Sequence, residues 1–325
     1  MKRILNMFAA SCMVISLAGC GSDSAKDNRK QETESTVSIV TTIFPLYDWC
    51  REVLGENPGN ARLTFLLDSG TDLHSYQPSA GDMVTVSECD LFVYIGGESD
   101  VWVPDALGNS ENPEQVSLNM MEVLKDSVRE EEIIEGMEAE EEEEAEYDEH
   151  VWLSLKNAKT AVQAIASVMK EKDPVNADVY SANADGYCMY LDELDGKYSN
   201  AVDHAEFDTL VFADRFPFRY LVDDYGINYY AAFAGCSAET EASFETIRFL
   251  AEKVDELGLP GVMTIEKNDE KIARTVIRST SEKTGTIYHL DSMQSVTEAE
   301  AEAGVTYLSV MKKNLAVLEE ALGSE

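Results

Sequence analysis

Positive charge is scarce in this chain. Its 325 residues contain 25 lysines and arginines against 62 aspartates and glutamates, and the formal net charge is −37. Binding of nucleic acid needs a basic face for the phosphates, and electrostatic adhesion to anionic lipid also needs positive charge. The composition therefore argues against both classes of partner and favours cations.

Sequence motifs of hydrolases and of clustered thiolate sites are also absent. Neither HExxH nor GxSxG occurs in the chain, although these motifs are typical of zinc proteases and serine hydrolases. No two cysteines have CxxC spacing, so a thiolate metal site is not expected. With 44% apolar residues, the chain has enough material for the cores of two folded domains.

The N-terminus has the order of a secretory signal. Lys2 and Arg3 precede the apolar run ILNMFAASCMVISLA, which is too short to suggest a transmembrane helix. The segment LAGC resembles the lipobox of bacterial lipoproteins, which predicts Cys20 as the first mature residue, acylated and anchored to the cell membrane. An ordinary cleaved signal with a chance cysteine is the alternative. We therefore expect an extracytoplasmic protein.

The remaining cysteines would lie in an oxidising compartment. Four cysteines allow three disulfide pairings, and the sequence does not choose between them. We expect buried free thiols instead of disulfides at these positions: Cys50, Cys89, Cys188 and Cys236.

Two series of β-rich runs and helical patterns follow one another along the chain. The first contains VSIVTTI, RLTFLL and LFVYIGG, and the second contains TLVFA, INYYAAF, GVMTI and TIYHL. Strands that alternate with helices are typical of parallel sheets. We therefore predict an α/β fold of two lobes with mainly parallel sheets, in which ligands bind at the carboxyl ends of the strands.

A long helix is predicted between the two lobes. Its apolar and aromatic residues recur at intervals of three and four, which places them on one face of a helix about 40 Å long. This stripe consists of Tyr180, Ala184, Tyr187, Leu191, Leu194 and Tyr198. The predicted organisation is a signal peptide (1–19), a flexible tether (20–36), a first lobe (37–173), a linking helix (174–204) and a second lobe (205–325).

Two of the four histidines suggest a metal site. His74 lies in a turn-rich loop after the strand RLTFLL, and His150 follows a run of acidic residues. A single loop histidine is more often a surface residue than a ligand. Two such histidines in one lobe of an acidic secreted protein favour metal, since neutral imidazole is a preferred ligand of divalent transition ions. His204, at the end of the linking helix, is expected to interact with the helix dipole.

Several motifs, in their order along the chain, resemble one protein family. IVTTIFPLYDW, GTDLHSYQPSAGDM, LFVYIGG, DEHVWLSLKNAKT and the long helix are similar to the zinc and manganese solute-binding lipoproteins of ABC importers. The resemblance covers essentially the whole mature chain. It implies two α/β lobes bridged by a rigid helix, a metal ion held between them, and a separate permease and ATPase as partners.

The resemblance also implies individual ligands. The histidine of the family's HxYxP loop falls on His74, and that of its DPHxW segment falls on His150, where Glu149 replaces the proline. The third ligand, after the first strand of the second lobe, falls within VFADRFPFRYL. Asp214 is the candidate there, although alignment on the motif's aromatic residue puts Arg215 in this position, and arginine does not bind metal.

A fourth ligand is implied at Asp291 in YHLDSMQ. His289 lies two residues earlier on the same face of a strand, and it could replace Asp214 or join it. Glu241 in AETEAS lies near the family's cleft acid and is expected behind the ligands at most. The implied metal site is therefore His74, His150, Asp214 and Asp291.

The number and type of the implied ligands do not decide whether the site binds zinc or manganese. Two histidines with two carboxylates suit manganese, whereas participation of His289 would make the site nitrogen-rich and suited to zinc. Zinc-selective members of the family commonly carry a metal-attracting loop before the second ligand histidine. Residues 130–149 occupy that place with thirteen acidic residues and no histidine, which favours zinc; an ordinary solvated insertion is the alternative.

The sequence thus predicts a monomeric, lipid-anchored binding component of an ABC importer that carries zinc, or manganese as the alternative, and catalyses no reaction. A secreted metal-dependent hydrolase using the same residues would need an open coordination position and a nearby base. A surface adhesin would need an exposed apolar or repeat-rich patch, and none is visible in the sequence.

Overall fold

The β-rich runs form two parallel sheets in the computed structural model, which describes residues 37–55, 61–138, 147–237 and 241–324. The predicted signal peptide and tether, residues 1–36, lie outside the described residues. Among the described residues, no helix has both the length and the apolar character needed to cross a bilayer.

The first lobe contains a four-stranded sheet in which all neighbouring strands are parallel. The strand order is β2-β1-β3-β4, so the connection from β2 to β3 passes over β1. Because helices cover such sheets on both faces, the two central strands are mostly apolar and mostly buried. The strands are β1 (Val37–Thr41), β2 (Ala61–Phe65), β3 (Leu91–Tyr94) and β4 (Val116–Asn119).

The second lobe repeats this arrangement. Its strand order is β6-β5-β7-β8, again with parallel neighbours, and the register of β5 shifts between Phe212 and Arg215. The strands are β5 (Thr209–Phe216), β6 (Asn228–Ala234), β7 (Gly261–Ile265) and β8 (Thr286–Leu290). The predicted fold class is confirmed, and it directs the loops at the carboxyl ends of both sheets towards a shared cleft.

Side-chain hydrogen bonds mark the start of several helices. Helix α2 begins with a capping box, in which the Ser79 hydroxyl accepts from the Asp82 N–H and the Asp82 carboxylate accepts from the Ser79 N–H. The helices are α1 (Phe44–Leu54), α2 (Ala80–Glu88), α3 (Val103–Gly108), α4 (Met120–Val123), α5 (Leu155–Lys172), α6 (Ala177–Asp203), α7 (Arg219–Tyr225), α8 (Phe244–Leu257), α9 (Lys271–Ser279), α10 (Glu298–Glu302) and α11 (Tyr307–Leu322).

Helix α6 is the predicted linking helix. All six residues of its predicted apolar stripe are buried, and its 27 residues span about 40 Å. Asn183 donates to the carbonyl of Val53 in the first lobe at 3.0 Å, and the Tyr198 hydroxyl donates to the carbonyl of Met311 in the second lobe at 2.6 Å. The helix is therefore fixed to both lobes by buried contacts.

Aromatic residues also join the lobes directly. The indole N–H of Trp152 donates to the carbonyl of Ser292 at 2.8 Å, and the Tyr307 hydroxyl donates to the carbonyl of Trp152 at 2.7 Å. The Tyr307 N–H donates to the buried carboxylate of Asp48 at 2.7 Å. These contacts cross from one lobe to the other, so the two sheets share a continuous core.

The four described cysteines are free thiols. Three of them, Cys50, Cys89 and Cys188, are buried in the first lobe and the long helix, as expected. Cys236 differs, because it is only partly buried and lies in the loop that follows β6. His204 pairs through Nδ1 with the carbonyl of Asn200 at the end of α6.

The attachment of α6 to the second lobe can be tested with Tyr198→Phe. This change removes the buried hydroxyl that donates to Met311, and we expect the free energy of unfolding to fall by about 1 kcal/mol. Urea denaturation measures the change. Tyr190→Phe is the matched control, because Tyr190 lies on the same helix with 60% of its surface exposed. Equal losses in the two variants would contradict the assignment.

Candidate metal centre

The loop after β2 presents His74. It forms a single 3₁₀ turn, Leu73–Ser75, whose first N–H groups are capped because the Asp72 carboxylate accepts from the His74 N–H at 3.0 Å. On the far side of the ring, His74 Nδ1 lies 3.1 Å from the Ser99 hydroxyl and 3.1 Å from a carboxylate oxygen of Glu149. The imidazole is therefore held from behind, with Nε2 directed into the cleft.

His150 is held in the same manner. One carboxylate oxygen of Asp148 accepts from the His150 N–H at 2.8 Å and lies 2.9 Å from His150 Nδ1. The ring is completely buried and lies against Trp152. Because a carboxylate on Nδ1 fixes both the tautomer and the orientation of the ring, Nε2 of His150 is the nitrogen left to bind a ligand.

The two free ring nitrogens meet. His74 Nε2 and His150 Nε2 lie 3.2 Å apart, although the residues are separated by 76 positions in the chain. Two ligand nitrogens of a tetrahedral zinc ion lie about 3.3 Å apart when each Zn–N distance is 2.0–2.1 Å. The rings therefore already have the separation that one bound ion requires.

The second lobe adds Cys236. Its sulfur forms a group with the two imidazoles in which the candidate ligand atoms all lie within 4.8 Å of one another. The Cys236 N–H donates to a carboxylate oxygen of Glu131 at 3.0 Å. The preceding Gly235 permits this approach, because a Cβ there would lie 3.0 Å from Cε1 of His150 and 2.9 Å from the carbonyl oxygen of Phe216.

Acidic groups surround these donors. Burial lowers the pKa of His150, but the carboxylates of Asp148, Glu149 and Glu131 together outweigh burial, and the pKa is raised above the ordinary value. Burial raises the pKa of Glu149, but hydrogen bonding to His74 reverses this and the pKa is lowered. The pKa of the Cys236 thiol is raised, first by burial and then by Glu131. The local field therefore favours a bound cation.

Asp214 is not part of this group. One of its carboxylate oxygens accepts from the Arg215 N–H, and the other accepts from the Ile265 N–H at 3.0 Å, the Asn268 amide at 2.7 Å and the hydroxyl of Thr264. These donors use most of the lone pairs of the carboxylate. In the structure, Asp214 orders the ends of β5 and β7.

The other implied carboxylate, Asp291, lies beside Glu266. Its carboxylate accepts from the Met293 N–H at 2.8 Å, and Glu266 accepts from the N–H and hydroxyl of Ser292. The pKa of Glu266 is raised to about 7, first by burial and then by the charge of Asp291. The structure does not bring Asp291 into the group of His74, His150 and Cys236.

The two remaining candidates face other partners. His289 Nε2 lies 3.1 Å from a carboxylate oxygen of Glu270, and 44% of the His289 side chain is exposed. Glu241 is exposed and pairs with Lys271 at 2.9 Å. Neither residue belongs to the group that contains the two imidazoles.

Arg215 joins the two lobes at the entrance to the cleft. Its guanidinium lies 2.8 Å from a carboxylate oxygen of Asp72, the residue that caps the His74 turn. A cavity of about 550 Å³ opens beside this ion pair, and it is lined by residues of both lobes that include His74, Phe233 and Lys267. The cavity provides a route from solvent to His74.

The first described part of the acidic segment, residues 130–138, lies against the second lobe. The Glu138 N–H donates to the carbonyl of Ala232 at 2.9 Å, and the Glu138 carboxylate accepts from the N–H of Ser243 at 2.6 Å and from the hydroxyl of Thr246 at 2.7 Å. Residues 139–146 lie outside the described residues. The segment therefore has specific contacts along its first half.

Comparison with known proteins identifies relatives over the full length of the chain. Residues 39–321 match the family described as zinc-uptake complex component A, periplasmic (ZnuA). The zinc-binding lipoprotein AdcA of Streptococcus pneumoniae (strain ATCC BAA-255 / R6) is 29% identical over 326 residues, a match that covers 100% of this chain and 62% of AdcA. The chain thus spans less than two thirds of that relative.

Another relative has nearly the same length. The high-affinity zinc uptake system protein ZnuA of Bacillus subtilis (strain 168) is 26% identical over 329 residues, covering 99% of this chain and 98% of its own. Among solved structures, the Zn(II)-bound ZnuA-like domain of S. pneumoniae AdcA has a TM-score of 0.69 and 26% identity, covering 89% of this chain and 99% of that domain. That domain has the fold described above.

The contact between Asp148 and His150 predicts how metal binding depends on pH. A protonated imidazole cannot bind metal, so metal affinity falls as the pH drops through the raised pKa of His150. In Asp148→Asn the carboxylate no longer raises this pKa, so the pH of half-maximal loss moves downward. Zinc affinity at basic pH also falls, by roughly 10–100-fold, because a neutral amide accepts the hydrogen bond of the ring more weakly than a carboxylate does.

Chelator competition with zinc as the probe ion, repeated across acidic and basic pH, measures both effects. In the metal-free protein the sign is opposite: the protonated His150–Asp148 pair stabilises the fold below pH 6.5, and this contribution is lost as the pH rises through the raised pKa. Asp192→Asn, which changes an exposed carboxylate on α6, is the control. An unchanged pH profile in Asp148→Asn would contradict the assignment.

Proposed function

The chain belongs to the family of periplasmic zinc-uptake complex component A, and from this premise we propose that it captures zinc outside the cytoplasm and delivers it to a membrane permease. The observation that carries the proposal is the 3.2 Å separation of His74 Nε2 and His150 Nε2. Each ring is oriented from behind by a carboxylate, an arrangement characteristic of zinc-binding histidines.

Zinc is favoured over manganese by the donor atoms that converge. Two imidazole nitrogens and a sulfur lie together, whereas manganese prefers oxygen ligands. The carboxylates of Asp148 and Glu149 contact the imidazoles through Nδ1 and so act behind the ligand atoms. The relatives described above as zinc-binding and zinc-uptake proteins support the same ion.

The proposed protein is a carrier anchored at the cell surface. Cys20 would hold the lipid, residues 20–36 would form the tether after removal of residues 1–19, and the body that begins at residue 37 would bind the ion. The permease and its ATPase would be separate chains, and the carrier would act as a monomer. The family is a transport component, which supports carriage of the ion without catalysis.

The lobes are suited to capture without a large rearrangement. The long helix and the contacts of Trp152 and Tyr307 hold the lobes together, while a cavity opens beside His74. Zinc would enter through this cavity and draw the ligand atoms together. Local movement of the cleft loops is sufficient for binding in this arrangement.

The acidic segment, residues 130–149, is proposed to attract cations to this entrance. It carries thirteen acidic residues and ends at His150, so its field raises the local concentration of divalent ions near the ligand. The contacts of Glu131 and Glu138 anchor its first half to the second lobe, which keeps the charge close to the cleft.

The zinc assignment is tested by competitive titration of chelator-stripped protein with zinc and manganese. We expect zinc to bind more tightly, and His74→Ala to lower zinc affinity by at least about 100-fold, beyond the usual effect of an outer-shell partner. His289→Ala is the matched control and should bind zinc like the unaltered chain. Unchanged zinc binding in His74→Ala would refute the site, and tighter binding of manganese would refute the choice of ion.

The role of the acidic segment is tested separately. Replacing the six glutamates at positions 140–144 and 146 by glutamine leaves Glu131 and Glu138 in place. We expect slower zinc association at low ionic strength and equal rates at high salt, since screening removes long-range attraction. Stopped-flow measurement of the association rate gives the comparison. Equal rates at low ionic strength would show that these residues are only a solvated insertion.

A further inference from the structure

Cys236 is the donor that the implied ligand set does not contain. We propose that Cys236 binds zinc as a thiolate and completes, with His74 and His150, a site of two nitrogens and one sulfur between the lobes. This inference rests on the proposed zinc-binding function. It assigns the contribution of the second lobe to a cysteine in place of the carboxylate of Asp214.

The geometry of the group supports direct binding. Tetrahedral zinc with Zn–N distances of 2.0–2.1 Å and a Zn–S distance of 2.3 Å separates its ligand atoms by about 3.3–3.6 Å. The three candidate atoms here lie within 4.8 Å of one another, and the two nitrogens are already 3.2 Å apart. A shift of about 1 Å in the Cys236 loop would bring the sulfur to binding distance.

The second lobe holds Cys236 in this place. Its N–H donates to Glu131, and Gly235 lets the backbone pass against the ring of His150. The loop continues directly from β6, which pairs with β5 along most of its length. Cys236 is therefore positioned by a strand end, a glycine and the acidic segment.

Charge explains why the thiol needs a cation beside it. Three carboxylates lie around this group: Glu131 accepts from the Cys236 N–H, and Asp148 and Glu149 contact the two imidazoles. A divalent ion at the two imidazoles supplies the opposing charge, and the thiol proton leaves to solvent as the Zn–S bond forms. The balance is one zinc ion bound and one thiol proton released.

Alternative roles for the sulfur have less support. A disulfide needs a second thiol, and the other described cysteines are buried in α1, after α2 and in α6. A cysteine that only packs in the core would be fully buried, whereas Cys236 is partly exposed and lies beside a ring nitrogen of each histidine. The competing ligand, Asp214, already accepts hydrogen bonds from four donors.

The proposal has a consequence for metal choice. Thiolate is a soft ligand that binds zinc well and manganese poorly. Cys236 would therefore set the preference of a cleft whose surrounding carboxylates attract any divalent cation. Loss of the sulfur should lower the affinity for zinc more than the affinity for manganese. The ratio of the two affinities should therefore become smaller.

Cobalt(II) gives a spectroscopic test on the purified protein. A thiolate bound to cobalt produces an intense sulfur-to-metal charge-transfer band in the near ultraviolet, and we expect this band in the unaltered chain. It should be absent in Cys236→Ser and Cys236→Ala, whose weaker visible bands would still report cobalt held by the histidines. Cys188→Ser, a change of a buried cysteine on α6, is the matched control and should retain the band.

Zinc and manganese affinities of the same variants complete the test. We expect Cys236→Ser to lower zinc affinity at least about tenfold and to leave manganese affinity nearly unchanged, with metal-free circular dichroism confirming that each variant is folded. A chain that binds zinc through His74 but has no charge-transfer band and no loss in Cys236→Ser overturns the proposal for Cys236 alone. A chain that binds no zinc overturns the proposed function instead.

Discussion

The orientation of two imidazole rings by carboxylates is the constraint on which the cleft depends. Asp148 holds His150, and Glu149 with Ser99 holds His74, so that the two Nε2 atoms face each other. Adjacent residues on one loop, Asp148 and Glu149, thus serve histidines from different parts of the chain. This sharing explains why a glutamate in the position of the family's proline is compatible with a metal site: its carboxylate reaches the other histidine.

Buried contacts hold the two lobes together around this pair. Buried hydrogen bonds of Trp152, Tyr198 and Tyr307 join the lobes and the long helix, and such contacts are costly to break because a buried partner would be left unsatisfied. The polar contact between Arg215 and Asp72 lies at the cavity instead. The contacts that hold the lobes together are therefore different from the one that lies at the cavity.

The fold could be predicted from the sequence because its periodicities are strong. The seven predicted strands and the stripe of α6 follow from apolar runs, whereas β4 was missed, since VSLN is short and only partly buried. The site was harder. His74 could be selected by its place in a loop after a strand, and His150 by its place after the acidic run. Asp214 was implied by the family resemblance, but its oxygens accept hydrogen bonds from backbone and side-chain donors. The sequence does not indicate Cys236, because spacing rules detect thiols that are close in sequence. Cys236 comes close to the two histidines only through the packing of the two lobes.

In the proposed carrier, the groups that attract the ion differ from the atoms that select it. Under the proposed function, a net charge of −37 and the acidic segment would attract cations without distinguishing them, because Coulomb attraction depends on charge and distance alone. Discrimination must come from the donor atoms, and the converging atoms are nitrogen and sulfur. The carboxylates nearest the two imidazoles orient the rings, and Glu131 accepts from the backbone of Cys236, so these carboxylates are not proposed as ligands. An acidic protein can in this way form a site of nitrogen and sulfur donors, because the carboxylates beside that site already contact the protein's own residues.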